Sequence, residues 1–161
     1  MMPDPQAVQE RYAPRSVCFG CGPANPGGLH LRSFEWPERP GELVAAWQAA
    51  PGQEAFAGVL NGGICGTLLD CHANWAAALH LMRLHGAEHP PATVTAGYEV
   101  RLQRPTPTGE PLQLRSWVAV ADGERAVAEA EISAQGKVTA SFRGTFVAVR
   151  PGHPAYHRWD E

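Results

Sequence analysis

The sequence predicts an α+β fold in which a curved antiparallel sheet of about five to six strands wraps around one long central helix. Two observations predict it. From Gly62 onward Cys65, Leu68, Leu69, His72, Trp75, Ala76, Leu79 and Met82 recur at steps of three and four, the period of a helix. After His89-Pro90-Pro91, four runs alternate at period two, the signature of half-buried strands.

At 161 residues the chain is sized for one core of ordinary volume. The expected division is an N-terminal extension over 1–28 carrying a C-x2-C loop, a central domain over 29–149, and a tail over 150–161. A net charge of -3, with basic residues scattered, lacks the positive stripe that a phosphate backbone demands, so nucleic acid is not an expected partner. Of the 13 basic residues only Lys137 is a lysine. The start of the chain shows no apolar segment behind a basic one, so the expected location is cytoplasmic. The longest apolar stretch, Ile64 to Met82, is interrupted by Asp70, His72 and Asn74, which a lipid-spanning helix excludes, so no membrane partner is expected.

In chain order, Asp4 to Tyr12 suits one or two helical turns, and the Gly/Pro-rich run from Gly20 to Gly28 suits irregular loop. Leu29 to Trp36 and Glu42 to Ala49 read as a hairpin across Pro37, Pro40 and Gly41. The helix is expected from Asn61 to Leu84, with Gly86 as its stop. The later strands are Val94 to Leu102, Leu112 to Val120, Val127 to Ser133 and Val138 to Val149. Turn signals at Pro105 to Gly109, Asp122-Gly123 and Gln135-Gly136 separate them, and an antiparallel meander is the expected arrangement.

On the helix, one face holds Ile64, Cys65, Leu68, His72, Trp75 and Leu79 and is expected to pack on the sheet. The opposite face holds Gly66, Asp70, Ala73, Asn74 and Ala77. Its small side chains and single carboxylate imply that a second subunit or a ligand packs there. Asn61 is a favoured N-cap, and Gly62 and Gly63 present N–H groups at the positive end of the helix dipole, a site for a developing oxyanion.

The run Gly58-Val59-Leu60-Asn61-Gly62-Gly63-Ile64 followed by Leu68-Leu69-Asp70 resembles the helix-opening motif of the phenylacetic-acid-pathway (PaaI-like) hotdog thioesterases. That family carries His-Gly-Gly with an acidic residue nine positions after the histidine, an interval that Asn61 and Asp70 keep. The resemblance spans Leu29 to Val149. It implies a hotdog fold, hydrolysis of an acyl-CoA thioester, and no cofactor. Under it Asp70 matches the catalytic acid, as general base or nucleophile, and Gly62 matches the glycine whose N–H polarises the thioester carbonyl. Gly63 and Asn61 complete the helix opening, and Thr95 falls at a water-orienting position. Asn61 replaces the family's histidine, and Ala55 stands where an assisting asparagine is common. Arg101 and Arg104 are candidates for the CoA phosphates.

Three other readings stand beside this one. A non-catalytic acyl-CoA binding or sensing protein is left open by Ala55 and Asn61. A dehydratase is disfavoured because no histidine-acid pairing accompanies Asp70. Cys18-Phe19-Gly20-Cys21 offers half of a zinc site, with His30, Cys71 or His72 as conceivable partners, but without a second C-x2-C the expectation is no metal. His72 is expected as a hydrogen-bonded core histidine, and Cys65, Cys71, Trp47, Trp75 and Trp117 as core residues. Gly62 and Asp70 lie eight residues apart, about 12 Å along a helix at 1.5 Å per residue. One thioester carbon does not reach both, so the expected assembly is a homodimer or dimer of dimers (a homotetramer) whose active sites are shared between subunits.

Overall fold

A computed structural model describes residues 6–160. A long helix, α2 (Gly62–Leu84), lies across a six-stranded antiparallel sheet. In chain order the elements are α1 (Val8–Tyr12), β1 (Phe34–Glu35), β2 (Leu43–Trp47), β3 (Glu54–Phe56), β4 (Val59–Leu60), α2, β5 (Thr93–Leu102), β6 (Leu112–Asp122), β7 (Arg125–Ala134) and β8 (Lys137–Ala148). The sheet order is β1-β2-β6-β7-β8-β5, and β3 and β4 form a separate two-stranded hairpin. None of the described helices is long and apolar enough to cross a membrane.

The sequence defines α2 closely. Asn61 caps it, its side-chain oxygen accepting from the Gly63 N–H at 2.8 Å and the Ile64 N–H at 3.2 Å. At the other end Gly86, at φ 62, takes the left-handed conformation that stops a helix. The strands face α2 with alternate residues. β7 presents Ala126, Ala128, Ala130 and Ala134 with Ile132, and these small side chains let the helix seat closely on the middle of the sheet. Larger groups, Leu112 and Leu114 from β6 and Phe142 and Phe146 from β8, fill the flanks.

Several expectations need correction. The meander holds for β6-β7-β8, but β5 pairs with β8, Thr93 opposite Ala148 through Leu102 opposite Ala140. The segment between β5 and β6 carries Pro105, Pro107 and Pro111, whose missing N–H groups and fixed φ suit a crossing loop better than a tight hairpin. The first hairpin exists but its first strand is only Phe34–Glu35. The Leu29 and Leu31 N–H groups are instead taken by the carbonyls of Phe19 and Gly20. Helix α1 starts at Val8, and the part of the expected turn before Gln6 lies outside the described residues. Trp117 is not in the core: it lies half-buried, with the Arg115 guanidinium over its ring at 5.4 Å.

The largest difference concerns α2 itself. From Cys71 to Leu79 every residue is buried within this single chain, Ala73 and Ala77 completely. The face opposite the sheet is covered by the chain's own ends. The N-terminal segment packs on it through Gly20, which sits against Cys71 and Thr67, and the C-terminal tail through Trp159, whose ring lies 4.5 Å from that of Trp75. The start of β5 closes the side through Thr93 and Asn74, joined hydroxyl to amide oxygen at 2.5 Å. Ala73 and Ala77 lie about half a turn around the helix from Cys71 and Trp75, toward the side where Asp70 and Asn74 meet β5, so the sheet covers them where a partner subunit or ligand was expected. Trp75, expected on the sheet face, lies under the tail instead.

Candidate active site

Asp70 sits on the third turn of α2, at the edge of its fully buried stretch and itself half-buried. Thr95, on the strand that follows the helix, donates its hydroxyl to Asp70 Oδ1 at 2.8 Å. A register shift between Thr95 and Gly97 interrupts the β5–β8 ladder at this point. Burial pushes the Asp70 carboxyl above its ordinary pKa, the Thr95 hydrogen bond pulls it down, the Cys18 sulfur raises it and the Arg158 guanidinium lowers it. Arg158 is anchored beside the site by a 2.7 Å hydrogen bond to the Thr93 carbonyl. No motif marks that arginine in the sequence, where it belongs to an aperiodic tail.

Of the glycines at the helix start, the Asn61 cap takes the Gly63 N–H and leaves the Gly62 N–H without a hydrogen-bond partner among the described residues. Gly63 is therefore not the free donor that the sequence suggested. Gly62 lines a cavity of ≈ 380 Å³ together with Ala55, Phe56, Cys65, Leu102 and Arg104. A Cβ at Gly62 would lie 2.9 Å from Leu102 Cδ1, so the backbone is bare toward this space. The chain thus brings Thr95 to Asp70 but leaves Gly62 in a separate cavity that Asp70 does not line.

The two arginines differ. Arg101 is paired with Glu99 at 2.9 Å, whereas Arg104, exposed at the cavity rim, has no ion-pair partner among the described residues. A larger cavity of ≈ 750 Å³, bordered by Trp36, His80 and Arg83, lies at the far end of α2 and contains none of the candidate residues.

His72 is a core histidine. Its Nε2 lies 3.2 Å from the Leu43 carbonyl, which only accepts, so Nε2 carries the proton and Nδ1 accepts from Ser33 Oγ at 2.7 Å. Ser33 Oγ in turn accepts from Gln9 Nε2 at 2.9 Å. Complete burial holds His72 neutral, lowering its pKa to about 4. His30 is engaged elsewhere, with the Asn25 carbonyl.

Cys71 is a core residue, as expected. It faces the Cys18–Cys21 loop, and the three sulfurs lie within 4.8 Å of one another.

No protein-family profile matches the chain, and no curated protein matches it. Solved structures do. A thioesterase superfamily protein from Shewanella loihica PV-4 is similar at 27% identity and a TM-score of 0.61, over 74% of this chain and 91% of that one. The PaaI protein of the E. coli phenylacetic acid degradation operon is similar at 20% identity and TM-score 0.61, over 76% of this chain and 81% of PaaI. Zebra fish thioesterase superfamily member 2 is similar at 19% identity and TM-score 0.65, over 88% and 96%. The chain has the hotdog fold that thioesterase superfamily proteins share. The likeness to the Shewanella thioesterase superfamily protein supports thioester hydrolysis as a general class of chemistry.

Proposed function

We propose that the chain hydrolyses an acyl-CoA thioester to a free acid and CoA. The observation that carries this reading is the pairing of two features: a half-buried carboxylate fixed by Thr95, and an unpaired Gly62 N–H at a helix start bordering a cavity. Asp70 takes a proton from water, whose oxygen attacks the thioester carbon, and the Gly62 N–H stabilises the oxyanion. As the carbon–sulfur bond breaks, the proton held by Asp70 passes to the CoA thiolate. Asp70 serves equally as nucleophile, through an anhydride that water then cleaves. In this reading Arg104, at the cavity rim, binds a CoA phosphate.

The separation of Gly62 from Asp70, about 12 Å along the helix axis, supports a site shared between two subunits. Strand β5 supports it too: it is an edge strand that exposes Tyr98 and Leu102, and such edges pair readily with another chain.

The test is thiol release from a panel of acyl-CoA thioesters of different chain type by the wild type and by Asp70→Asn. Turnover by the wild type alone supports the reading. Saturable binding without turnover by either favours an acyl-CoA binding protein, in keeping with Ala55 at the cavity wall, and neither binding nor turnover overturns both.

A further inference from the structure

Cys18, Cys21 and Cys71 come from two distant parts of the chain, and the hydrolytic reading uses none of them. The Cys18 and Cys71 sulfurs are 3.8 Å apart, and all three lie within 4.8 Å of one another. A disulfide places its sulfurs at about 2.05 Å. Two thiolates on one tetrahedral zinc ion, at about 2.3 Å each, stand about 3.8 Å apart. The Cys18–Cys71 separation matches that of two thiolates on one zinc ion.

The surroundings fit thiolates. The loop is a tight knuckle closed by the Gly22 N–H on the Cys18 carbonyl at 2.8 Å. Close approach requires glycine at both positions. A Cβ on Gly20 would lie 2.3 Å from Cys71 Sγ, and one on Gly22 would lie 2.4 Å from the Cys18 backbone nitrogen. An independent observation comes from Trp75, one helical turn beyond Cys71. Its indole N–H is buried and has no hydrogen-bond partner among the described residues, and the ring lies near the Cys21 sulfur. A buried N–H with no acceptor is costly, and a metal-bound thiolate is a stronger acceptor than a thiol.

We propose that Cys18, Cys21 and Cys71 bind one zinc ion or a similar soft divalent cation, with Trp75 donating to the Cys21 thiolate. The ion ties the N-terminal loop to α2 at the residue next to Asp70. The chain offers three sulfur ligands, and the fourth position is completed by water or a small anion from the half-exposed Cys18 side. Neither His30 nor His72 supplies it, since each is committed to a backbone carbonyl.

The experiment uses the reduced, full-length protein, and its readout is independent of thioester hydrolysis. Elemental analysis is expected to give about one zinc per chain. Cobalt(II) added to the metal-free protein is expected to give intense sulfur-to-cobalt charge-transfer absorption, lost in Cys18→Ser, which is half-exposed on the loop, and in Cys21→Ser. Trp75→Phe is expected to keep the band but weaken cobalt affinity by about 10-fold or more. Absence of both zinc and the cobalt band in the wild type overturns the site. So does a band that survives in both serine variants, or a disulfide among the three cysteines in protein purified without oxygen.

Discussion

Thr95 holds Asp70 by a hydroxyl-to-carboxylate hydrogen bond of 2.8 Å that joins β5 to α2 across the one irregular point in the β5–β8 ladder. The register shift frees the strand locally, so the hydroxyl reaches the helix. One carboxylate oxygen is engaged and the other is left for a reacting group.

Asp70→Asn is expected to lower kcat on acyl-CoA by at least about 100-fold with little change in ligand affinity, because it removes the base or nucleophile and preserves volume. Thr95→Val keeps shape and deletes the hydroxyl, and is expected to lower kcat by about 10-fold, the scale of one hydrogen bond to a charged group. Steady-state kinetics with direct binding measurements check both. An Asp70→Asn enzyme retaining most of its kcat would exclude Asp70 from the chemistry.

The shared site is tested by complementation. Gly62→Pro removes the N–H at the first helical position, which tolerates proline, and the nearest obstacle is the exposed end of Leu102. Homodimers of Gly62→Pro and of Asp70→Asn are expected to be inactive. Mixed dimers regain activity, because one of their two sites unites an intact Gly62 with an intact Asp70. Verified heterodimers that stay inactive, or an active monomer, refute it.

His72 makes stability depend on pH. Its folded pKa of about 4 lies below the ordinary 6.5, so the folded chain keeps it neutral while the unfolded chain protonates it. Its stabilising contribution is complete above pH 6.5 and is lost as pH falls toward 4, by up to about 3 kcal/mol. Denaturant melts at pH 7 and pH 4.5 on the wild type and on His72→Asn measure it. The variant is expected to be less stable at pH 7 and to lose less on acidification, and equal slopes in the two proteins contradict the assignment.

The C-terminal tail contributes to the core through one residue. Trp159 is 6% exposed, stacks on Trp75 and donates its N–H to the Pro91 carbonyl at 2.9 Å. Trp159→Ala is expected to destabilise the fold by about 3 kcal/mol, seen as a lower Tm, and to raise access to the cysteines. A Tm within a degree of the wild type would show that the tail is not part of the core.

The extent of α2 was legible because period, cap and stop agree: Asn61 opens it and Gly86 ends it. The last three strands were legible from alternation and from the Asp122-Gly123 and Gln135-Gly136 turns. Strand order was not, since a period of two says which face a residue takes and nothing of its neighbour, and so the β5–β8 pairing was missed. The small hairpin β3–β4 was missed because strands of three and two residues leave no period to read. Within the site, Asp70 and Thr95 were marked by the family resemblance, and Asp70 also as the single carboxylate on its helix face. Arg158, and the meeting of Cys71 with Cys18 and Cys21, depend on where two aperiodic chain ends settle, and only the folded path brings them together.

Because β5 finds its partner in β8, the sheet is closed by a strand made after every other strand. During synthesis β5 emerges with α2 and waits, its ladder groups unpaired and Tyr98 bare, while β6 and β7 are added. A chain halted before Lys137 has β6 and β7 to pack α2 on, but leaves β5 unpaired and lacks Phe142 and Phe146, which fill one flank of the helix. Pairing of β8 with both β7 and β5 is thus the step that completes the sheet, a non-local one for β5 because β6 and β7 separate the partners in sequence order.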